Sequence, residues 1–391
     1  MTGAPGSRPG ASALAPRERF ASVDILRGLA LFGVAVVNLV GEFRVSIFQQ
    51  FLPQGPAPGW GERWVNGFIR YGLEMKAFAL FSLLFGFGLA LQYDRFARTG
   101  RPRYWLSRRL AVLLGFGLVH LLLIWNGDIL VEYALAGLLA LPLLAAPAWV
   151  LTAASALLLA AYLALPYLPP PVTWPQAAWL LAHIDEANRV LPIGSWHDVI
   201  SFNLNELRYL LPLHVFVLPR TLGLFLLGAL AWRLRIIQRA AVLRGRIAAA
   251  GAVALVVGAM ASVRSPDGAA TILLALGYAA CTVALLEYAP GRRALRGFGA
   301  VGKMAFTNYM MQSLVAGWIF YGYGLGQFGR LDAPTVLALA VAIYVAQCWF
   351  SRWWLRRYRF GPLEWIWRTL TYGALQPMGR ELNATELRNY L

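Results

Sequence analysis

His120 lies inside an apolar run, Leu110 to Trp125, that holds no other ionisable group. Arg109 opens that run eleven positions earlier, and Asn126-Gly127-Asp128 closes it. A helix rises ~1.5 Å per residue, which puts the imidazole ~16 Å along the axis from the guanidinium. A histidine inside a membrane segment faces the protein interior or a wet cavity, and it can move protons near neutral pH. Asp128 and Glu132 are one helical turn apart and share a face if both are helical. His120, Asp128 and Glu132 are therefore expected to meet, a carboxylate orienting the imidazole. The chemistry expected is general-base or nucleophilic catalysis within a bilayer.

Other polar side chains interrupt apolar runs. Asp24 and Arg27 are three apart on the first run and can pair, leaving Arg27 to meet a phosphate. Asn38 follows eleven residues later, near the far surface, where its amide can donate to a developing oxyanion. Lys76 is one of two lysines in a chain otherwise served by arginine. Arg220 falls near mid-membrane, at a cost of ~2.5–3.5 kcal/mol on insertion scales. Lys303 opens a run containing Asn308, Tyr309 and Gln312, a polar strip. The anion-binding set expected is Arg27, Lys76, Arg109, Arg220, Lys303 and Asn308, and the catalytic set is His120, Asn38, Asp128 and Glu132. His183, Asp185, Glu186, His197 and Asp198 fall in a long loop, 169–205, read as a lid or recognition element. Their spacing matches no metal site, and none is expected.

The elements that hold these residues are all-α. Hydrophobic residues make up 59% of the 391 residues and charged residues only 14%, against about 25% charged in soluble domains. Ten spans are expected, at about 24–42, 66–92, 108–125, 128–145, 148–168, 206–231, 246–263, 269–289, 304–323 and 334–353. The net charge is +17. With the N-terminus inside, 25 of the 35 cations fall in inner segments and 7 in outer ones. That asymmetry predicts both termini cytoplasmic. The cations thus report topology rather than nucleic acid, and no nucleic-acid partner is expected. Cys281 and Cys348 lie in separate apolar runs, which argues against a disulfide. Residues 1–20 read as a disordered tail. A composition shift then divides a six-span half, 21–232, from a four-span half with the cytoplasmic end, 233–391.

Five segments resemble a known group. They are Asp24-Ile25-Leu26-Arg27-Gly28 with Asn38, Lys76 with Phe81-Ser82-Leu83-Leu84-Phe85-Gly86, and His120 with Trp125-Asn126-Gly127-Asp128-Ile129-Leu130. The fourth is Gly302-Lys303-Met304-Ala305-Phe306-Thr307-Asn308-Tyr309, and the last is Arg359-Phe360-Gly361-Pro362-Leu363-Glu364-Trp365. Together they resemble the YeiB-like bacterial membrane proteins from about residue 20 to 380. The C-terminal half looks like the domain of unknown function numbered 418. The first half is also similar to heparan-α-glucosaminide N-acetyltransferase, which takes acetyl from cytosolic acetyl-CoA to a sugar across the membrane. That likeness puts Asn38 on the family's catalytic asparagine. Where the eukaryotic enzyme has a histidine eleven residues on, this chain has Gln49, so His120 would take over. The spacing of Arg109 and His120 resembles the Arg-x10-His motif of bacterial membrane acyltransferases.

These resemblances imply a transmembrane acyltransferase of the bacterial plasma (inner) membrane. It would move an acyl group from cytoplasmic acyl-CoA, acetyl-CoA first, to a glycan, lipid or small-molecule acceptor at the outer face. The expected partners are the bilayer, acyl-CoA and that acceptor, and the chain could pair as a homodimer. The alternative is a transporter or lipid-handling protein without covalent chemistry, with His120, Glu132 and Arg220 on a proton or anion path.

Overall fold

The computed structural model describes residues 20–51, 59–169 and 172–379. The N-terminal tail and the cations Arg8, Arg17, Arg19, Arg380 and Arg388 lie outside the described residues. The elements run α1 (Ala21–Asn38), α2 (Trp60–Phe68), α3 (Lys76–Ala97), α4 (Pro102–Leu123), α5 (Leu130–Ala140), α6 (Ala148–Ala164) and α7 (Ala177–Val190). They continue with α8 (Trp196–Arg233), α9 (Ala240–Arg264), α10 (Ala269–Leu286), α11 (Ala289–Lys303), α12 (Ala305–Phe320), α13 (Ala333–Arg357) and α14 (Pro362–Tyr372). Among the described residues the only β pairing is an isolated bridge between Tyr358 and Gly379. Helices satisfy their own backbone, as lipid demands.

Among the described residues, eight helices are long and apolar enough to cross a membrane. The chain is a polytopic membrane protein. The two expected spans missing from the eight are real helices but short. Leu130–Ala145 includes a 3-10 turn at Leu141–Ala145, and α12 has 16 residues. Sixteen residues rise ~24 Å, short of a ~30 Å hydrocarbon core. At the other extreme, α8 has 38 residues and starts at Trp196, ten residues before the expected span. Ser195 starts it with a capping box: its Oγ accepts from the Asp198 amide, and the Asp198 carboxylate accepts from the Ser195 amide. Such a cap stabilises by ~1 kcal/mol. The expected loop 169–205 is therefore largely helical, occupied by α7 and the start of α8.

The first helix is central. Of its apolar stretch, 83% is buried, against 17% in the stretches around α6 and α9, which present their sides to lipid. Glycines set the closest crossings. A Cβ on Gly302 would sit 1.8 Å from the Asp24 carbonyl oxygen, and one on Gly28 would sit 2.2 Å from that of Phe298. So α1 and α11 meet backbone to backbone. Gly86 and Gly228 do the same for α3 and α8. Packing of small residues replaces the hydrophobic driving force that lipid does not supply.

Candidate functional site

The starts of α1, α4 and α12 and the end of α3 gather at one end of the bundle, with α14 laid against them. They enclose an inner cavity of about 230 Å³. Arg27, Arg95, Arg109, Lys303 and Arg368 line it, against two carboxylates, Asp24 and Glu364. Asp24 pairs with Arg27 at 3.5 Å. The Arg109 guanidinium lies 3.6 Å from the Trp367 ring centroid, and the Trp367 indole donates to the Arg109 carbonyl at 2.9 Å. Glu364 caps α12, accepting from the Phe306 amide at 2.8 Å and the Thr307 amide at 3.1 Å. Burial pushes the Glu364 carboxyl above its usual range, and these hydrogen bonds oppose the shift. The motif Phe360 to Trp365 thus seats α14 as the floor of a basic mouth.

Above the mouth the walls turn apolar, with Leu31, Val34, Phe81, Leu84, Leu110 and Leu113. Ile129, Leu130 and Tyr309 line the inner end. Residues three or four apart share a helix face. On α1 the lining stripe Asp24, Arg27, Leu31, Val34 continues to Asn38. On α4 the stripe Arg109, Leu113 continues through Gly117 to His120. Both predicted residues lie on the extensions of cavity walls.

His120 and Asp128 form a dyad there. Nδ1 of His120 is 2.7 Å from Asp128 Oδ1, and both side chains are fully buried. The other carboxylate oxygen of Asp128 accepts from the Val131 amide at 2.7 Å, at the start of α5. Gly117 allows this arrangement: a Cβ there would lie 2.7 Å from the Val131 nitrogen. The α4–α5 connection is buried, with Trp125 2%, Asn126 5% and Asp128 2% exposed. Buried backbone needs partners. The Trp125 amide donates to the His120 carbonyl at 2.8 Å, and the Ile129 amide to the Tyr309 hydroxyl at 3.4 Å. The Tyr309 ring centroid is 5.3 Å from that of His120. Nε2 of His120 is buried and has no hydrogen-bond partner among the described residues. With Nδ1–H donating to the Asp128 carboxylate, Nε2 holds the basic lone pair.

Other expected members go elsewhere. Glu132 accepts from Thr221 Oγ1 at 2.7 Å and faces His214 Nδ1 at 3.2 Å. The shared-face expectation fails because Asp128 precedes α5 and is not helical. Lys76 starts α3, whose other end carries Arg95, ~28 Å away by helix rise. Its Nζ donates to the Arg70 carbonyl at 2.7 Å and so ties down a π turn, Ile69–Leu73. It is not part of the basic mouth. Arg220 is 3% exposed and lies over the Tyr162 ring at 5.6 Å, away from the inner cavity. Asn308 joins α12 to α13, donating to Ser351 Oγ at 3.0 Å. Its neighbour Tyr309 faces the cavity instead.

Sequence reasoning passed over Glu206. It accepts from Asn126 Nδ2 and lies 2.8 Å from His183 Nε2. It thus links α7 to the loop that carries Asp128. A carboxylate at an assumed span boundary drew no attention; once α8 extends to Trp196, Glu206 falls within the helix.

At the opposite end of the bundle is a vestibule of about 1230 Å³. Its walls are irregular. Two π turns, Leu39–Phe43 and Ile69–Leu73, contribute, as does Met75 with a left-handed backbone at φ 58°.

Residues 223–374 match the family described as "Protein of unknown function (DUF418)". The uncharacterized protein YxaH of Bacillus subtilis (strain 168) is 33% identical over 396 residues, covering 93% of this chain and 97% of that protein. The chain belongs to the DUF418 family. The uncharacterized protein YeiB of Escherichia coli (strain K12) is 28% identical, covering 92% of this chain and 98% of its own length. An uncharacterized 39.9 kDa protein from the amylase 3′ region of Bacillus acidopullulyticus is also 28% identical, over 92% of this chain and 96% of its own. No solved structure matches the chain. Within this DUF418 protein the matched region holds α9 to α14, and so Lys303, Trp367 and Arg368 of the basic mouth and Tyr309 at the far end of the cavity. The dyad lies before it.

Proposed function

We propose that this protein is a membrane acyltransferase that draws an acyl group from cytoplasmic acyl-CoA and passes it to an acceptor at the outer face. One observation carries the reading. A cavity with five cations at its mouth runs along apolar walls to Tyr309, beside a buried His–Asp dyad whose Nε2 has no partner among the described residues. Phosphates suit the mouth electrostatically, with Arg27, Arg95, Arg109, Lys303 and Arg368 as binders. A pantetheine arm, ~16–20 Å when extended, spans the ~16 Å from Arg109 to His120.

Nε2 of His120 takes the proton of the acceptor O–H or N–H. The acceptor atom attacks the thioester carbonyl, the C–S bond breaks, and the imidazolium returns the proton to the thiolate. Asp128 holds the tautomer and the ring. In this reading Asn38, one turn beyond Val34 on α1, donates to the oxyanion. In this reading the two short helices, α5 and α12, also cross, making ten spans with both termini cytoplasmic in the bacterial inner membrane. Acetyl-CoA, a lipid or glycan acceptor and homodimer assembly belong to the same reading.

A second reading, transport or lipid handling without covalent chemistry, draws on the existence of two cavities at opposite ends with a titratable dyad between them. Binding tests separate neither reading alone, but Arg109 tests their shared premise. Arg109→Ala should weaken acetyl-CoA binding to the detergent-purified protein about tenfold or more, with affinity falling as salt rises. CoA binding that ignores both the substitution and salt counts against the acyl-CoA site.

A further inference from the structure

Asp128 orients His120, yet no helix holds Asp128. The segment from Trp125 to Ile129 joins α4 to α5 outside both, so no helical ladder fixes its course. Side chains do that instead. The Trp125 ring stacks on Phe43 at 4.3 Å, and a Cβ on Gly127 would lie 2.2 Å from the Trp125 ring. Among the described residues, two hydrogen bonds tie the segment to helices other than α4 and α5. One is the long bond from the Ile129 amide to the Tyr309 hydroxyl, at 3.4 Å. The other runs from Asn126 Nδ2 to the Glu206 carboxylate on α8. A carboxylate acceptor makes the stronger kind of bond, roughly twice a neutral one.

Glu206 is itself held. Its Oε1 accepts from His183 Nε2 at 2.8 Å, and both side chains are buried. One carboxylate oxygen is thus engaged by α7 and the other by the segment that carries Asp128. The His183 ring stacks on Trp179 at 4.5 Å and on Phe202 at 4.7 Å, within 14° of parallel in each case. Fixed contacts therefore run from Trp179 through His183, Glu206 and Asn126 to a point two residues before Asp128. A buried polar network whose members are satisfied specifies one arrangement of its surroundings. Neither His183 nor Glu206 lines the inner cavity, so neither meets a donor bound there.

We propose that Glu206 is a positioning residue for the dyad. Through Asn126 it fixes the α4–α5 connection so that Asp128 receives the Nδ1 proton of His120 and leaves Nε2 as the base. This rests on the acyltransfer reading. Glu206 touches no reacting group and acts only through Asp128. His183, from the segment expected to be a lid, serves as its anchor. A misplacement of ~1 Å in a reacting group can cost ~10²-fold in rate, and the connection has no backbone ladder of its own to resist one.

The test exchanges the two partners in the full-length protein. Three variants are made: Glu206→Leu, Asn126→Asp, and Asn126→Asp combined with Glu206→Gln. Asn126→Asp sets a carboxylate against Glu206, with Glu42 on the same small chamber and no cation among the residues that line it. The double variant restores one amide and one carboxylate with their places reversed. Transfer of label from acetyl-CoA is read in membrane vesicles that carry the protein. Acetyl-CoA affinity and the ¹⁵N spectrum of the His120 ring, which reports the nitrogen that holds the proton, are read on purified protein. His120→Gln identifies the His120 signals among those of the four histidines. Glu206→Leu and Asn126→Asp should each lower transfer ~10²-fold and lose the single Nδ1–H form, with acetyl-CoA affinity unchanged. The double variant should recover most of the rate and the Nδ1–H form. A double variant no better than Asn126→Asp overturns the proposal, as does Glu206→Leu with an unmodified rate and His120 spectrum. Loss of acetyl-CoA binding alongside transfer would also overturn it, by making Glu206 a residue of the fold alone. If the unmodified protein transfers no label, the acyltransfer reading falls, and the His120 spectra still decide whether Glu206 sets the dyad.

Discussion

The two ends of this bundle are built on opposite principles. The inner cavity has regular α-helical walls, glycine-sealed crossings and a basic mouth. The vestibule at the other end has π turns, a left-handed Met75 and a lining that mixes carboxylates with Arg44 and Arg70. Sealed helices suit a narrow channel for a long, thin, anionic molecule. Irregular backbone is tolerated at membrane depth only where protein or water covers it, and here it borders a wide vestibule. The dyad sits between, buried from both.

That contrast can be broken at several points, beginning with the seal. Gly302→Leu inserts a side chain where even a Cβ would meet the Asp24 carbonyl at 1.8 Å. Overpacking of this kind costs ~1–3 kcal/mol or more. A clear fall in melting temperature is expected, together with lost acetyl-CoA binding, because Asp24 and Arg27 line the mouth. An unchanged melting temperature would show that α1 and α11 do not meet as described. Next comes the carboxylate behind the base. Asp128→Asn keeps the shape but no longer fixes the Nδ1 proton, and transfer should fall ~10²-fold or more with acetyl-CoA affinity retained. Glu132→Gln should cost far less than Asp128→Asn, because Glu132 holds Thr221 and His214 instead. Equal losses would put Glu132 back beside His120. The smallest effect sharpens the comparison most. Lys76→Met should leave acetyl-CoA affinity within about twofold, since its amine ties the outer π turn at Arg70 and lies ~28 Å along α3 from Arg95. A large loss would erase the distinction between the two ends.

Much of this was legible in the residues. Apolar run length gave the helices, and the one histidine in its run pointed to the dyad. The spacing of Asp24 and Arg27 put them on one face, which the cavity stripe on α1 matches. What the residues hid was backbone geometry. Asp128 and Glu132 read as one helical face, but α5 starts two residues after Asp128, so their directions diverge. Lys76 looked like an anion binder because periodicity does not reveal which end of a span a residue occupies when a π turn and a left-handed residue precede it. Glu206 was hidden by the same kind of error, since the Ser195 capping box extends α8 past the apolar boundary. The pairing of Arg109 with Trp367 spans 258 positions, a separation no local pattern reports.

In the proposed reaction Nε2 of His120 is the base for acyl transfer. The most direct measurement is single-turnover transfer from radiolabelled acetyl-CoA by His120→Gln, with acetyl-CoA binding and melting temperature taken on the same sample. Glutamine keeps much of the volume and one hydrogen bond to Asp128 but supplies no base. Normal folding, normal acetyl-CoA affinity and transfer reduced by ~10²–10⁴-fold are expected. Transfer at the unmodified rate in His120→Gln would contradict it and leave His120 as a packing residue.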